Sequence, residues 1–509
     1  MKRTYLLGVD NGGTLARAAL CDADGNEVAV VSCPTRLLTP APGQTERDLT
    51  EFWEATARCI REVVAKAAIR PEEIACVACC GHGKGLYLID REGRPLANGI
   101  ISTDTRAHEY LSLWDRDGTA EKIREWTCQS ILVSQPCALL RWMKDHRPEV
   151  YAQIGTVLEA KDYIRYRLTG EAYGEMTDFS GTNLVNLHTR SYDPRLFEAF
   201  GIPEMADKMP PLRSALDLCG RVTEEAAALC GLQAGTPVAG GMFDIDACAL
   251  ASGVTDTENL CVIAGTWSIN EYISSVPVTD GTVAMNSIFC MPEYYLIEES
   301  SPTSAGNLAW LAKNVLDTDK AAAAQKGISI YQVFDTLAEA VDPATDLYYL
   351  PYIFGSQDHP CARGAFIGMN AQTTKAQMIR AVLEGVVFNH RMHVDKLLDS
   401  RKEHPPRCIR LAGGAAHSVL WVQMFADILG LPVETILSDE LGTLGCAING
   451  AVTCGIYSSL KEAADHMVHV GNMVDPNAEA SAEYERKYRI FTQMVRALHP
   501  VWDAIGTGN

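Results

Sequence analysis

The 509-residue sequence contains no apolar run that approaches the ~18 residues needed to cross a membrane. Its first apolar stretch, residues 5–9, is short and ends at a charged residue, Asp10. That length and that early charge do not fit the apolar segment of a secretory signal. We therefore expect a cytoplasmic protein with no membrane partner.

Positive charge is also scarce. The chain has 44 Lys and Arg residues against 64 Asp and Glu residues, which gives a formal net charge of -20. Nucleic-acid binding depends on Lys and Arg side chains that neutralise phosphates, so this balance argues against a nucleic-acid partner. It does not exclude a bound nucleotide, because backbone N–H groups and a metal ion can hold phosphates inside an acidic protein.

The cysteines lack the pairing that a zinc site needs. There are 17 of them, an odd number, and most stand singly in apolar runs. The one CxxC pair, Cys76 and Cys79, lies in an apolar segment that predicts a buried strand, where residues three apart point to opposite faces. Without a second pair it does not complete a zinc site. We expect reduced thiols that pack as small hydrophobic side chains.

The length of the chain predicts two domains, because single cores rarely exceed ~250–300 residues. A strand, a Gly- and Thr-containing turn and a return strand occur at residues 5–21 and again at residues 259–273, which indicates duplication. Helical patterns occur at residues 49–67, 420–429 and 480–498. We place the boundary near Gly253, which gives an N-terminal domain of residues 1–252 and a C-terminal domain of residues 253–509.

The turns of the two hairpins are candidate phosphate-binding loops. They are Asp10-Asn11-Gly12-Gly13-Thr14 and Gly265-Thr266-Trp267-Ser268. Glycines at a hairpin tip let backbone N–H groups approach an anion, and Thr adds a hydroxyl donor. Asp10, at the end of a strand, could hold Mg²⁺ directly or through water. Asn-Gly-Gly is also a common hairpin turn, so a purely structural interpretation stays open for each turn alone.

Two further glycine motifs each follow a strand and precede a helix. In Gly413-Gly414-Ala415, the missing side chains leave room for a base or a ribose beside an electropositive helix N-terminus, although a tight turn alone would explain the glycines. Gly240-Gly241 is followed by Asp244 and Asp246. Either carboxylate could cap the helix, or Asp244 could lie at the floor of a cleft and accept a proton from an attacking hydroxyl.

Together and in this order, these four motifs resemble the FGGY family of carbohydrate kinases. Two more segments match family patterns: residues 134–146, in which Leu139 stands where the family usually has Lys, and residues 364–385. The resemblance extends over residues 5–455. It implies a duplicated, two-domain α/β fold of the actin-like ATPase (ribonuclease H-like) type, with a cleft between the domains.

The resemblance also implies roles for the site residues. Asp244 would be the catalytic base and would bind the sugar hydroxyl, while Asp10 would hold Mg²⁺. The residues expected to bind the phosphates of ATP are Gly12, Gly13, Thr14, Gly265 and Thr266, and those expected to accommodate adenosine are Gly413, Gly414 and Ala415.

Within the family, the chain resembles the bacterial L-xylulose kinases, notably in residues 83–86 and 102–107. This likeness suggests His82, Lys84 and Asp104 as further sugar contacts, although a solvated loop with a surface lysine would also fit. Glycerol kinases are expected to carry an Arg-Glu pair at the position of Gly83-Lys84, so a glycerol site is disfavoured. Ser134-Gln135-Pro136 departs from the L-xylulose kinase pattern, which leaves another pentulose or a tetritol such as erythritol open.

The expected reaction is in-line transfer of the γ-phosphoryl group of ATP to a hydroxyl of a small sugar, with domain closure that excludes water. The alternative is a non-catalytic ATP- or sugar-binding protein of the same fold. A DNA-binding regulator would need a basic recognition helix, and a chaperone would need a peptide-binding region; neither is visible in the sequence. A homodimer stays open.

Overall fold

Strands and helices alternate across residues 4–506, which are the residues that the computed structural model describes. The strands are β1 (Tyr5–Asn11), β2 (Leu15–Asp22), β3 (Glu27–Pro34), β4 (Glu46–Arg47), β5 (Ile74–Gly81), β6 (Tyr87–Ile89), β7 (Gly99–Ile100), β8 (Thr156–Leu158), β9 (Gly174–Glu175), β10 (Val185–Asn186), β11 (Ser191–Tyr192), β12 (Leu212–Arg213), β13 (Leu218–Arg221), β14 (Pro237–Ala239), β15 (Met242–Phe243), β16 (Asn259–Ala264), β17 (Ser268–Ser274), β18 (Met285–Ile288), β19 (Tyr295–Ser301), β20 (Tyr348–Leu350), β21 (Ala365–Ile367), β22 (Cys408–Ala412), β23 (Val433–Ile436) and β24 (Val470–Val474). The helices are α1 (Leu49–Ala67), α2 (His108–Arg116), α3 (Thr119–Thr127), α4 (Pro136–His146), α5 (Pro148–Tyr151), α6 (Ala160–Thr169), α7 (Met176–Phe179), α8 (Pro194–Ala199), α9 (Glu224–Cys230), α10 (Asp244–Ala251), α11 (Gly306–Asn314), α12 (Asp317–Gln325), α13 (Ile330–Glu339), α14 (Lys375–Ser400), α15 (Val419–Leu429), α16 (Leu441–Thr453), α17 (Leu460–Met467), α18 (Ala478–Ala497) and α19 (His499–Gly506).

The helix predicted at residues 49–67 is confirmed as α1. Asp48 caps it, because its carboxylate accepts a hydrogen bond from the N–H of Glu51 at 2.8 Å. The buried stripe of α1 includes Phe52, Ile60 and Val63 and packs against β2 and β3. The spacing of these apolar residues therefore sets the face that the helix buries.

The first of two units comprises Met1–Thr255, Ile273–Ile297 and Glu440–Val468. Its main sheet has the order β13-β14-β5-β1-β2-β3. β1 pairs antiparallel with β2 and parallel with β5, and β15 also pairs parallel with β5. Central strands of this kind are covered on both faces, as their unbroken apolar runs indicate.

The second unit comprises Asp256–Tyr272, Glu298–Asp439 and His469–Asn509. Its strands belong to a sheet in which β19-β17-β16-β22-β23-β24 are neighbours. Here β16 pairs antiparallel with β17 and parallel with β22, and the outer pair β23–β24 is antiparallel, as β14–β13 is in the first sheet. The repeated order and strand directions support the duplication that the two hairpin motifs predict.

A single cut near Gly253 does not separate these two units, because later segments return to the first. In one of them, α16 packs against β1 and α10. The packing is close: a side chain added at Gly8 would meet the carbonyl of Thr443, and one added at Gly445 would meet the carbonyl of Ala247. Glycine at these positions lets α16 complete the core of the first unit.

The cysteines behave as the sequence predicts. Every cysteine is free, and all except Cys248, Cys361 and Cys454 are buried. Burial raises the pKa of Cys76 to about 12 and so keeps this thiol protonated. The packing of reduced thiols as hydrophobic side chains is thus confirmed.

Among residues 4–506, no helix combines the length and apolar composition required for a membrane crossing.

Candidate active site

Three predicted motifs lie at the carboxyl ends of adjacent parallel strands in the first unit. Asp10 is near the end of β1, the loop of residues 82–85 follows β5, and Asp244 follows β15. The strand register places Asp10 and Met242 opposite the same residue of β5, Cys80. Because α/β proteins bind ligands at this edge of the sheet, these motifs form one candidate site.

Asp10 is a half-buried carboxylate. Its Oδ2 lies 3.8 Å from Arg17 Nη1, and its Oδ1 accepts a weak hydrogen bond from the Cys80 thiol at 3.5 Å. The first turn of α16 approaches it, since a Cβ added at Gly442 would come within 3.0 Å of Asp10 Oδ2. Burial raises the pKa of Asp10, and the charge of Arg17 opposes this rise. A further cation in the site would stabilise the ionised form.

Asp244 is the first residue of α10 and is half-buried. Burial raises its pKa well above the usual range, and the negative charges of Asp10 and Asp178 raise it further. Lys84 lowers the pKa and partly offsets these effects. Asp244 is thus a carboxylate with increased proton affinity at the ligand-binding edge of the sheet.

Burial distinguishes Asp244 from Asp246. The side chain of Asp246 is fully buried, and its Oδ1 accepts a hydrogen bond from the N–H of Cys290 at 2.9 Å. Phe243, which precedes α10, occupies the N-cap position, so neither carboxylate is the capping residue. The geometry therefore favours Asp244 as the carboxylate that meets a ligand and gives Asp246 an internal role.

The tip of the first hairpin is held from one side by the buried Arg47. Its guanidinium donates to the carbonyl oxygen of Gly13 and, at 3.3 Å, to that of Gly12. In a trans peptide the following N–H points opposite to the carbonyl, so the N–H groups of Gly13 and Thr14 point away from Arg47. Thr14 is exposed. The tip can therefore present two N–H groups and a hydroxyl to an anion.

His82 supports the loop of residues 82–85 from within. Its Nε2 lies 2.8 Å from the Tyr87 hydroxyl, and its Nδ1 lies 3.3 Å from the carbonyl oxygen of Gly83. Burial and the nearby charge of Arg47 lower the pKa of His82 to about 3, so the ring is neutral. Because both nitrogens have protein partners, the geometry does not support the expected sugar contact at His82.

Lys84 extends from the same loop in a left-handed backbone conformation, with φ 60°. Its Nζ lies 5.1 Å from the centre of the Phe243 ring, a cation–π distance. Packing is tight here, since a Cβ added at Gly83 would come within 2.5 Å of Asp178 Oδ1 and 2.7 Å of the Phe243 ring. Lys84 is only half-buried, so it can donate to a ligand while its charge acts on Asp244.

Asp104 has a structural role that the sequence did not predict. It is fully buried, and both of its oxygens accept hydrogen bonds from Arg106 Nε, at 2.9 and 3.0 Å. Its Oδ2 also accepts from the N–H of Thr45 at 2.6 Å, and Arg106 pairs with Glu46 at 2.8 Å. With both oxygens occupied, Asp104 offers none to a sugar, and the expected contact is not supported.

A cluster of buried charges lies behind Asp244 and was missed in the sequence. Its centre is Lys161, whose Nζ contacts the carboxylates of Asp162 (3.1 Å), Asp178 (3.2 Å) and Glu175 (3.5 Å). Glu175 Oε2 accepts from the Thr177 hydroxyl at 2.6 Å, and this hydroxyl accepts from the N–H of Phe243 at 2.8 Å. The cluster thereby fixes the residue directly before Asp244.

Glu159 adds an unusual carboxyl group to the same region. It precedes α6 without capping it, is 1% exposed, and neither of its oxygens has a hydrogen-bond partner. Burial raises its pKa well above the usual range, and the charges of Asp178 and Asp162 raise it further, while Lys84 lowers it. The surroundings of Lys84 are therefore rich in acidic groups.

In the second unit, the other two predicted motifs also meet. β16 and β22 are parallel neighbours, and each leads directly into a glycine turn. Gly413 has φ 83°, and a Cβ there would come within 2.8 Å of the carbonyl oxygen of Ala264 and 3.2 Å of Gly265 N. Only glycine allows this contact. Residues 413–415 therefore lie directly beside the turn that carries the exposed Thr266.

The segment after Gly413 connects β22 to the N-terminus of α15. Residues Gly414–His417 form a 3₁₀ turn, in which Gly414 is exposed and Ala415 is buried. Ser418 caps α15 by accepting from the N–H of Trp421 at 3.1 Å. The result is a surface without side chains at Gly414, close to a helix N-terminus, which is the environment predicted for adenosine.

Comparison with known proteins shows the family. Residues 5–251 match the model of the FGGY family of carbohydrate kinases, N-terminal domain, and residues 260–454 match that of its C-terminal domain. The L-xylulose/3-keto-L-gulonate kinase of Escherichia coli (strain K12) is 36% identical over 97% of each chain. A probable L-xylulose kinase of Pasteurella multocida (strain Pm70) is 33% identical over 97% of this chain and 99% of its own. The structure of a xylulose kinase from Lactobacillus acidophilus matches with a TM-score of 0.89 at 23% identity, over 99% of this chain and 100% of its own.

These matches and the two related sheets define a sugar kinase with the two-domain, actin-like ATPase fold. The predicted fold class is confirmed, and so is the prediction of a carbohydrate kinase rather than a non-catalytic binding protein. The chain belongs to the FGGY family of carbohydrate kinases.

Proposed function

We propose that this kinase transfers the γ-phosphoryl group of ATP to a hydroxyl of a neutral five-carbon ketose, with L-xylulose as the first candidate. The sugar hydroxyl attacks the γ-phosphorus, the bond from this phosphorus to the β-phosphate oxygen breaks, and Asp244 takes up the hydroxyl proton. The groups that donate to phosphate oxygens belong to Gly12, Gly13, Thr14, Gly265 and Thr266. Adenosine lies against Gly413, Gly414 and Ala415.

The environment of Asp244 carries this proposal. A general base works best when its pKa lies near the working pH, and burial together with Asp10 and Asp178 raises the pKa of Asp244 in that direction. Lys84 lies close enough to act on the same carboxylate and is half-buried at the sheet edge. A hydroxyl held by Lys84 could therefore reach Asp244 as its proton acceptor.

The site also fits a divalent cation that accompanies ATP. The charge of Asp10 raises the pKa of Asp244, and a cation close to both carboxylates would relieve this repulsion. Among residues 4–506, no three His, Cys, Asp or Glu side chains group into a metal site. This suits Mg²⁺, which is usually bound by one or two carboxylates together with waters and substrate phosphates. We assign its retention to Asp10; when bound, Mg²⁺ would neutralise polyphosphate charge.

The charges around Lys84 favour a neutral sugar over a sugar acid. The E. coli relative is named for L-xylulose and for 3-keto-L-gulonate, and the second name denotes a carboxylate. In this chain Lys84 interacts with Asp244 and Glu159, and Asp178 acts on both of these groups. A further carboxylate would meet this excess of acidic groups, so a neutral ketose is the better fit.

Gln135 belongs to the segment Ser134-Gln135-Pro136, which left a tetritol substrate open, and it is part of an internal network. It is fully buried, and its Oε1 accepts from the N–H of Leu132 at 2.7 Å and from Asn183 Nδ2 at 2.6 Å. Its Nε2 donates to the carbonyl oxygen of Gly181 at 2.7 Å. These bonds occupy the side-chain amide, so the departure at Gln135 is no argument for a different sugar.

The substrate proposal is tested by kcat/KM at saturating ATP for L-xylulose, D-xylulose, L-ribulose, 3-keto-L-gulonate, erythritol and glycerol. We expect L-xylulose to exceed glycerol by about 10²-fold or more, because a site built for particular hydroxyls leaves its own polar groups unpaired when they are missing. Lys84→Met should raise the KM for the sugar far more than that for ATP. A preference for erythritol or for the sugar acid would contradict the neutral pentulose.

Thr14→Ala and Thr266→Ala should each weaken catalysis about 10- to 150-fold, because a lost hydrogen bond to a charged group costs about 1.5–3 kcal/mol. The matched controls are Thr14→Ser and Thr266→Ser, which keep the hydroxyl and should retain most of the activity. Initial rates against ATP concentration provide the measurement. If both alanine variants have wild-type ATP kinetics, the phosphates do not lie at these turns.

The pH dependence of kcat/KM tests whether Asp244 is the base, because its neighbours Lys84 and Asp178 shift its pKa in opposite directions. A base must be ionised to accept a proton, so kcat/KM should fall as pH falls through the pKa of Asp244. Lys84 lowers this pKa, so Lys84→Met should move the acid limb of the profile to higher pH. Asp178 raises it, so Asp178→Asn should move the limb to lower pH. Shifts in the same direction in both variants would contradict the assignment of the limb to Asp244.

A further inference from the structure

A fully buried histidine on α14, His390, connects to β17 just after the turn that carries Thr266. Its Nδ1 lies 2.8 Å from Asn270 Oδ1 and 3.0 Å from Ser268 Oγ. Its Nε2 lies 2.8 Å from Ser304 Oγ, in the loop that leads into α11. The imidazole therefore joins two segments that are distant in sequence.

The partners determine which ring nitrogen carries the proton. The amide nitrogen of Asn270 donates to Ser268 Oγ and to the carbonyl oxygen of Glu299, both at 3.1 Å, so its Oδ1 faces the ring. Nδ1 of His390 therefore donates to Asn270 Oδ1, and Nε2 accepts from the Ser304 hydroxyl. Burial lowers the pKa of His390 to about 3, so the ring stays neutral and keeps this pattern.

These bonds complete a closed set of contacts that links Thr266, Ser268, His390, Ser304 and Gly306. Ser268 follows Thr266 by two residues, and Ser304 precedes Gly306, the first residue of α11, by two. A Cβ added at Gly306 would lie 3.4 Å from the carbonyl oxygen of Thr266 and 3.6 Å from its Cγ2, so α11 begins against Thr266. The His390 imidazole, which joins Ser268 to Ser304, closes this set of contacts on the side away from Thr266.

We propose that His390 is a positioning residue, which locks Ser268 to Ser304 and so holds the Thr266 hydroxyl in place for a phosphate of ATP. The inference rests on the proposed role of Thr266. His390 acts only through the turn, and this is sufficient because a misplacement of about 1 Å lowers catalysis strongly.

The variant His390→Phe keeps an aromatic ring but removes both nitrogens. His393→Phe is its matched control, because His393 lies one turn later on α14 and is also buried. Its side-chain partners are Glu299 (3.3 Å) and Ser301 (3.0 Å) on β19, rather than Ser268 and Ser304. We expect His390→Phe to lower kcat/KM for ATP about 10-fold, with the sugar KM unchanged. His393→Phe should leave ATP kinetics unchanged even where its Tm falls equally.

A double-mutant cycle separates positioning from general destabilisation. If His390 acts through Thr266, adding His390→Phe to Thr266→Ala should cause little further loss. Full additivity, or equal ATP effects in the two histidine variants, would overturn the inference. If Thr266→Ala alone has wild-type ATP kinetics, the proposed function of the turn fails, and the inference fails with it. Ser304→Ala keeps the imidazole and serves if His390→Phe does not fold; an unchanged ATP dependence there would also overturn the inference.

Discussion

Replacing Asp244 with Asn is expected to lower kcat by about 10³-fold or more while the fold and ATP binding are retained. The amide has the shape of the carboxylate but accepts no proton from the attacking hydroxyl. Stability should not fall, because Asp10 and Asp178 both disfavour the charge of Asp244 in the folded protein. Single-turnover rates and calorimetric ATP binding on the same preparation provide the measurement.

The matched control is Asp246→Asn, two residues later in the same helix. Its side chain is fully buried, and an amide oxygen can still accept from the N–H of Cys290. We expect this variant to keep kcat within about 10-fold of wild type, since the residue acts through packing and not on the reacting atoms. If Asp244→Asn retained more than about a tenth of the wild-type kcat, Asp244 would not be the base.

Replacing Lys161 with Met should lower the free energy of unfolding by about 3–5 kcal/mol. The ammonium group is not exposed and lies within 3.5 Å of three carboxylates, two of them equally unexposed. Without it, Asp162 would keep Arg165 at 2.8 Å. Glu175 and Asp178 would lose their cation in a medium of low polarity, and at least one of them would take up a proton or draw in water. Urea denaturation followed by circular dichroism measures the loss.

Lys144→Met is the control for this experiment. Lys144 also pairs with a carboxylate, that of Glu204 at 2.7 Å, but both side chains are more than a third exposed. Solvent screens such a pair, and its loss should cost less than about 1 kcal/mol. Equal losses in the two lysine variants would show that the carboxylates around Lys161 are already protonated and that the cluster is not an ion network.

Local sequence signals were sufficient for the elements that position the site. The hairpins at residues 5–21 and 259–273 were recognisable because apolar strands flank a turn with glycine, and both occur as β1–β2 and β16–β17. α1 was recognisable from its apolar period, and α18 begins two residues before its predicted start. Motifs at the ends of such strands are placed by the strands themselves, which is why the positions of Asp10 and Asp244 at strand ends could be predicted.

Contacts between distant segments account for what the sequence did not reveal. The sequence suggested His82 and Asp104 as ligand contacts. In the structure His82 is bonded to Tyr87 and Asp104 to Arg106, and no local sequence pattern predicts these partners. Lys161 stands beside Asp162 in a helical pattern and resembles an ordinary surface pair. Whether a polar side chain faces solvent, a ligand or a buried partner is decided by packing, which a single sequence does not encode locally.

The return of α16 to the first unit has a consequence for synthesis on the ribosome. The sheet edge that carries Asp10 and Asp244 is packed against a helix that is translated almost 200 residues after α10. At ordinary elongation rates this delay lasts roughly 10–40 s. During this time the apolar face of β1 and β5 that α16 later covers is exposed. The N-terminal part of the nascent chain therefore cannot complete this packing until α16 has emerged from the ribosome.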